Sequence, residues 1–132
     1  MTRRTIHIRG WRVDVFIEEV GKYVDLSKIN ETLDEMGAPY DICVRANDMV
    51  IGGVPNQAFT YSNGRRTCIY IGWTTSPSEF LNSLIHELRH LVDHIAEYYG
   101  LENNETVGYI SGDAAFLLAE EICEHGCRCH KN

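Results

Sequence analysis

Residues 76–100 constrain this chain more than any other stretch. "SPSEFLNSLIHELRHLVDHIAEYYG" carries its own start and stop signals. Ser76 can cap a helix, Pro77 suits the first helical position, and Glu79 completes a capping box. Gly100 is a good terminator. At about 100° per residue, Phe80, Leu84, Leu88, Leu91, Ile95 and Tyr98 share one broad arc, which Leu81, Ile85, Val92 and Tyr99 extend. His86, His90, Asp93, Glu79 and Glu97 lie opposite. The segment therefore reads as a long helix with a wide buried side and a separate polar stripe.

The rest of the chain supplies strands for that helix to pack on. "TIHIRGWRVDVFIEE" alternates apolar and polar residues around Arg9-Gly10, which reads as two strands and a turn. A short helix follows, capped at Ser27, with Ile29, Leu33 and Met36 at helical spacing and Gly37 with Pro39 ending it. "YDICVRAND" reads as a strand. "QAFTYSNGRRTCIYIGW" reads as a hairpin, because Asn63-Gly64 is a favoured tight-turn dipeptide. After residue 100, a second long helix starts near Asn103 or Asn104 and runs to about Cys123. The order is strands, a helix, strands, then two long helices, which predicts a single α+β domain over residues 1–132. That length is enough for a real hydrophobic core.

Composition narrows the function classes. The formal net charge of −7 argues against nucleic acid, whose phosphates need a basic surface. No apolar run approaches the roughly 20 residues of a membrane span. "MTRRTIHIRGW" has no apolar signal core behind its arginines, so the expectation is a cytoplasmic protein. The five cysteines, an odd number, argue against a disulfide framework.

Chemistry concentrates in "HELRH". His86 and His90 are one turn apart on one helix face, so both imidazoles can reach one ion. Neutral imidazole suits Zn2+. Glu87, about 100° around from His86, can miss the metal yet act as general base on a water. Chance predicts only about 0.02 such motifs in a chain of this composition. A catalytic zinc wants three protein ligands and one open position. Glu105, in the first turn of the second helix, is the leading candidate for the third. Gly108, Gly112, Ala115 and Ala119 form a narrow strip of small residues beside it. Close approach of the two helices would explain why that helix carries two glycines, each costing up to about 1 kcal/mol relative to alanine.

"HELRH" followed by "NNETVGYISG" resembles small zincin-like metallopeptidases of the gluzincin type, and among them short phage- and prophage-encoded peptidases in which a Glu precedes an Ala/Gly-Tyr-x-x-Gly segment. The resemblance spans residues 76–118. It implies a zincin-like fold: a twisted, mostly antiparallel sheet packed on the motif helix, with a second long antiparallel helix. It also implies His86, His90 and Glu105 as metal ligands, Glu87 as base and a peptide or protein as substrate. In such folds a strand before the motif helix borders the substrate cleft, a role Thr67 to Trp73 would fill by strand addition.

Other residues gather around this reading. His94 and Tyr109 are candidates for stabilising an oxyanion, and Asp93 for orienting a ligand histidine. The tail over residues 123–132 holds Cys123, His125, Cys127, Cys129 and His130, all zinc-compatible, but at spacings of no standard zinc module. Two rivals remain open. One is a catalytically silent zincin-fold binding or regulatory module. The other is a structural domain without metal.

Overall fold

A computed structural model describes residues 1–20, 25–102 and 104–126. Among them are four strands and five helices in the order β1 (Thr2–Ile8), β2 (Trp11–Ile17), α1 (Leu26–Glu35), α2 (Tyr40–Gly52), β3 (Ala58–Asn63), β4 (Arg66–Ile71), α3 (Pro77–Tyr99), α4 (Asn104–Leu117) and α5 (Ala119–Gly126). The architecture is α+β. The four strands form one sheet in the order β1-β2-β4-β3.

Both expected hairpins form. Ile8 pairs with Trp11, which leaves Arg9-Gly10 as the two turn residues, both at positive φ. Asn63 pairs with Arg66, so Gly64-Arg65 form the second turn, with Gly64 alone at positive φ. These dihedrals match the right-handed twist of the flanking strands. The sheet is mostly antiparallel but mixed: β1–β2 and β3–β4 are antiparallel, and the central pair β2–β4 is parallel.

That parallel pair follows from a helix at a place where the sequence pattern predicts a strand. "YDICVRAND" lies in α2, not in a β-strand. Pro39 stands at its N-cap and Gly53, left-handed, ends it. Ile42, Ala46, Met49 and Val50 keep the spacing of one helix face, which nine residues read alone do not reveal. With α1 and α2 both helical, the chain can cross from β2 and return parallel through β4; a parallel pair requires such a crossover.

Helices cover both sheet faces. Trp11, Val13, Val15, Ile17, Ile69 and Ile71 meet Phe80, Leu84, Leu91 and Ile95 of α3, together with Ile110 and Ala114 of α4. On the other face, Phe16, Cys68 and Tyr70 meet Ile29, Leu33, Ala46 and Val50 of α1 and α2. Each fully buried Val, Leu, Ile or Phe among them contributes roughly 1.5–3 kcal/mol by leaving water.

The second face also buries an ion cluster. Asp14 is 0 % exposed. Thr5 donates to it at 2.8 Å, Arg66 Nε at 3.1 Å and Arg12 Nη2 at 3.3 Å. Arg66 reaches on to Glu35 at 2.9 Å. Burial pushes the Asp14 carboxyl up, but the hydrogen bonds from Thr5 and Arg66 and the charges of Arg12 and Arg66 outweigh it and hold it below its ordinary 3.8.

The motif helix begins and ends where its signals place it. Ser76 accepts the Glu79 N–H at 3.1 Å, Pro77 opens the helix, and Gly100 closes it in the left-handed conformation. The first helix begins one residue before Ser27: Asp25 is its N-cap, and the Ser27 hydroxyl donates to Asp25 instead of capping. The expected second long helix is divided at Leu118 into α4 and α5. No helix among the described residues is long and apolar enough to cross a membrane.

Candidate metal centre

α3 lies over the sheet near its β3 edge and turns its histidines toward that flank. His86 Nε2 and His90 Nε2 stand 3.2 Å apart, with their rings edge to face at 4.8 Å. Glu87 joins them: the ligand atoms of His86, Glu87 and His90 all lie within 4.8 Å of one another. The 3.2 Å separation can be tested against metal chemistry. Two nitrogens each about 2.1 Å from a tetrahedral ion stand roughly 3.4 Å apart. The pair therefore fits a shared zinc ion as two of its ligands.

Glu87 sits differently from the two histidines. Both imidazoles are exposed, whereas Glu87 is 4 % exposed. Its carboxylate tucks between α3 and β3, where the Thr60 hydroxyl donates to Oε2 at 2.8 Å. Among the described residues no lysine or arginine pairs with it. The apolar arc is correspondingly shifted: Glu87 and Ser83 are inside it, and Ile85 is 64 % exposed. Ile85 and Glu87 stand about 160° apart on the helix, and packing against β3 turns the Glu87 side inward.

His94 ends a buried hydrogen-bond chain. Trp11 Nε1 donates to Thr67 Oγ1 at 2.8 Å, Thr67 and Ser62 hydroxyls meet at 2.6 Å, and Ser62 Oγ meets His94 Nδ1 at 2.6 Å. The indole can only donate. The buried Thr67 hydroxyl has Ser62 as its acceptor among the described residues, so its proton goes there, and the Ser62 proton goes to Nδ1. Neutral His94 thus carries its own proton on Nε2, as a donor. Its ring centroid is 6.4 Å from that of His90.

The structure does not bring Glu105 to the pair. Glu105 is exposed and outside the group formed by His86, Glu87 and His90; the Tyr109 hydroxyl donates to its Oε1 at 3.3 Å. The reason is the flank on which α4 packs. Val107, Ser111 and Ala115 of α4 face Ile85, Leu88 and Val92 of α3 across a shared groove. His86 and His90 each stand about 160° around the helix from Leu88, on the opposite flank. Glu105, the expected third ligand, and Tyr109, 61 % exposed beside it, thus stand outside the group of His86, Glu87 and His90. The strip of small residues does not bring the helices together either: a methyl group added at Gly108 or Gly112 would meet no neighbouring helix among the described residues. Asp93 reaches Arg89 at 4.0 Å rather than a ligand histidine.

A cleft of about 360 Å³ opens beside the cluster, lined by Met49, Gln57, Ala58, Ser83, His86 and Glu87. Its walls are α2, the start of β3 and α3. Sequence reasoning misses both α2 and β3 as parts of the site, because the first has the pattern of a strand and the second that of an outer hairpin arm. Strand order also moves the expected cleft border. β4 is paired on both edges, by β2 and β3, so it cannot accept a further strand; β3 has the open edge. Cys127, Cys129 and His130 of the tail lie outside the described residues.

No protein-family model matches the chain, and no curated protein and no solved structure matches it significantly.

Proposed function

We propose that this chain is a zinc-dependent peptide hydrolase of zincin-like build, with Glu87 as its general base. The observation that carries the reading is the 3.2 Å approach of His86 Nε2 to His90 Nε2 with the Glu87 carboxylate in reach of both. His86 and His90 would hold the metal. A zinc ion there supplies a Lewis acid, which polarises a carbonyl and lowers the pKa of water towards about 7.

The chain's own residues do the rest. Thr60 fixes one Glu87 oxygen, which leaves the other to take a proton from the attacking water and pass it to the leaving amine. His94, a donor at Nε2, stands one further turn along the row to hydrogen-bond a substrate carbonyl. A peptide laid along β3 would pair with its open edge and pass the cleft beside His86 and Glu87.

The test is hydrolysis of an unfolded protein such as casein by zinc-loaded protein, with and without a chelator. Chelator-sensitive cleavage that disappears in Glu87→Gln supports the reading. Cleavage unchanged by both treatments overturns it.

A second reading draws on one observation: among the described residues, α4 places no third ligand beside the pair. A module of phage or prophage type that holds a metal or a partner without turnover would also use this arrangement. It predicts that the protein's biological effect survives Glu87→Gln while zinc stays bound.

A further inference from the structure

We propose a second divalent-metal site, separate from the His86–His90 pair, formed by Glu19, Glu124 and His125. The ligand atoms of these three residues lie within 4.8 Å of one another. They converge from distant parts of the chain: Glu19 follows β2, and Glu124 and His125 are in the last turn of α5.

Packing fixes the imidazole in place. The His125 ring lies 5.2 Å from the Phe80 ring at the start of α3. The next residue is seated closely on the same helix: a Cβ at Gly126 would stand 3.1 Å from Leu81 Cδ2. Glu19 is held from β1, where the Thr2 hydroxyl donates to its Oε1.

His125 Nε2 is buried and has no hydrogen-bond partner among the described residues. Buried ring nitrogens are nearly always paired. Glu124 Oε2 stands 4.0 Å from it, too far for a hydrogen bond; two ligands of one tetrahedral zinc stand roughly 3.4 Å apart, so a bound ion would draw the exposed Glu124 side chain inwards. One turn back on the same face, Glu121 Oε2 is also buried without a hydrogen-bond partner among the described residues, while its Oε1 pairs with Arg4 at 3.5 Å. One imidazole and two carboxylates suit a divalent transition cation such as zinc. This inference stands apart from the hydrolase reading, since it shares no residue with it.

Zinc titration by calorimetry tests it in the full chain carrying H86A and H90A, which removes the first pair. The expected result is one equivalent of zinc bound, weakened at least tenfold by H125A and by E124Q. Glu124 is exposed, so its substitution leaves the fold intact even where H125A disturbs packing on Phe80. No binding in that background overturns the proposal. So does binding that ignores E124Q, or binding abolished by C127S with C129S, which would assign the zinc to tail thiols. The converse titration, on E124Q with H125A, reads the first pair alone: loss of zinc there refutes the hydrolase's metal and leaves the second site standing.

Discussion

Asp14 on one face of the sheet and Glu87 on the other are both buried carboxylates, and the two are held in opposite ways. Asp14 is surrounded by guanidinium groups: Arg66 at 3.1 Å, Arg12 at 3.3 Å and Arg3 at 3.7 Å. Glu87 has a single hydroxyl donor, Thr60, and two imidazoles. A carboxylate locked by permanent cations is an anchor. Its proton affinity is pulled down, and it holds β1, β2, β4 and α1 together. A carboxylate steadied by one neutral donor, beside groups that can share a metal, keeps an oxygen available for proton transfer. Burial alone does not mark a functional acid; what compensates the burial does.

The comparison breaks most visibly under substitution. Glu87→Gln keeps the shape and still accepts from Thr60, so the fold and zinc affinity should stay near wild type. Hydrolysis should fall about 10²- to 10⁴-fold, the usual contribution of a general base. Steady-state kinetics on a zinc-loaded sample measures this. Asp14→Ala should do the reverse, leaving zinc binding intact while destabilising the fold. Breaking a buried pair costs about 3–5 kcal/mol, and the partial exposure of Arg3 and Arg12 sets this case near the lower end. Thermal or urea unfolding reads it directly.

Acid should report the same anchor more gently. The folded pKa of Asp14 lies below its ordinary 3.8. Its contribution is therefore fully present above that ordinary value and is lost as pH falls through the lower folded value. Stability measured from about pH 6 downwards should decline in that window, and Asp14→Asn should flatten the decline. Smaller still is Ser62→Ala, which frees the His94 tautomer without touching the histidine pair. It should lower kcat by up to about tenfold and leave zinc affinity unchanged. The smallest effect belongs to Glu105→Ala, which should alter zinc affinity by less than about twofold. A tenfold loss there would restore α4 as a ligand-bearing helix.

Much of this is legible in the sequence where local rules decide the outcome. Ser76, Pro77 and Gly100 delimit α3 by their own backbone chemistry, and both hairpin turns follow from Gly10 and Gly64. The histidine pair is legible too, because two histidines four apart on a helix must share a face. What stays hidden depends on packing between distant segments. That the side of α3 carrying Glu87 turns inward and the side carrying Ile85 outward is decided by packing on β3. The position of Glu105 is made by the flank on which α4 settles, and its hydrophobic contacts Val107, Ile110 and Ala114 outweigh the glycine strip in choosing that flank. The parallel β2–β4 pair is hidden behind α2, whose mixed apolar pattern resembles a strand over its first nine residues.

The central claim is that His86 and His90 hold one metal ion between them. Two-dimensional ¹H–¹⁵N spectra of the imidazole rings, recorded as zinc is added, test it most directly. The Nε2 resonances of His86 and His90 should shift together and saturate with one equivalent, while His94, bonded through Nδ1 to Ser62, keeps its tautomer. If His86 and His90 titrate independently, or neither responds to zinc, the pair is not a metal site.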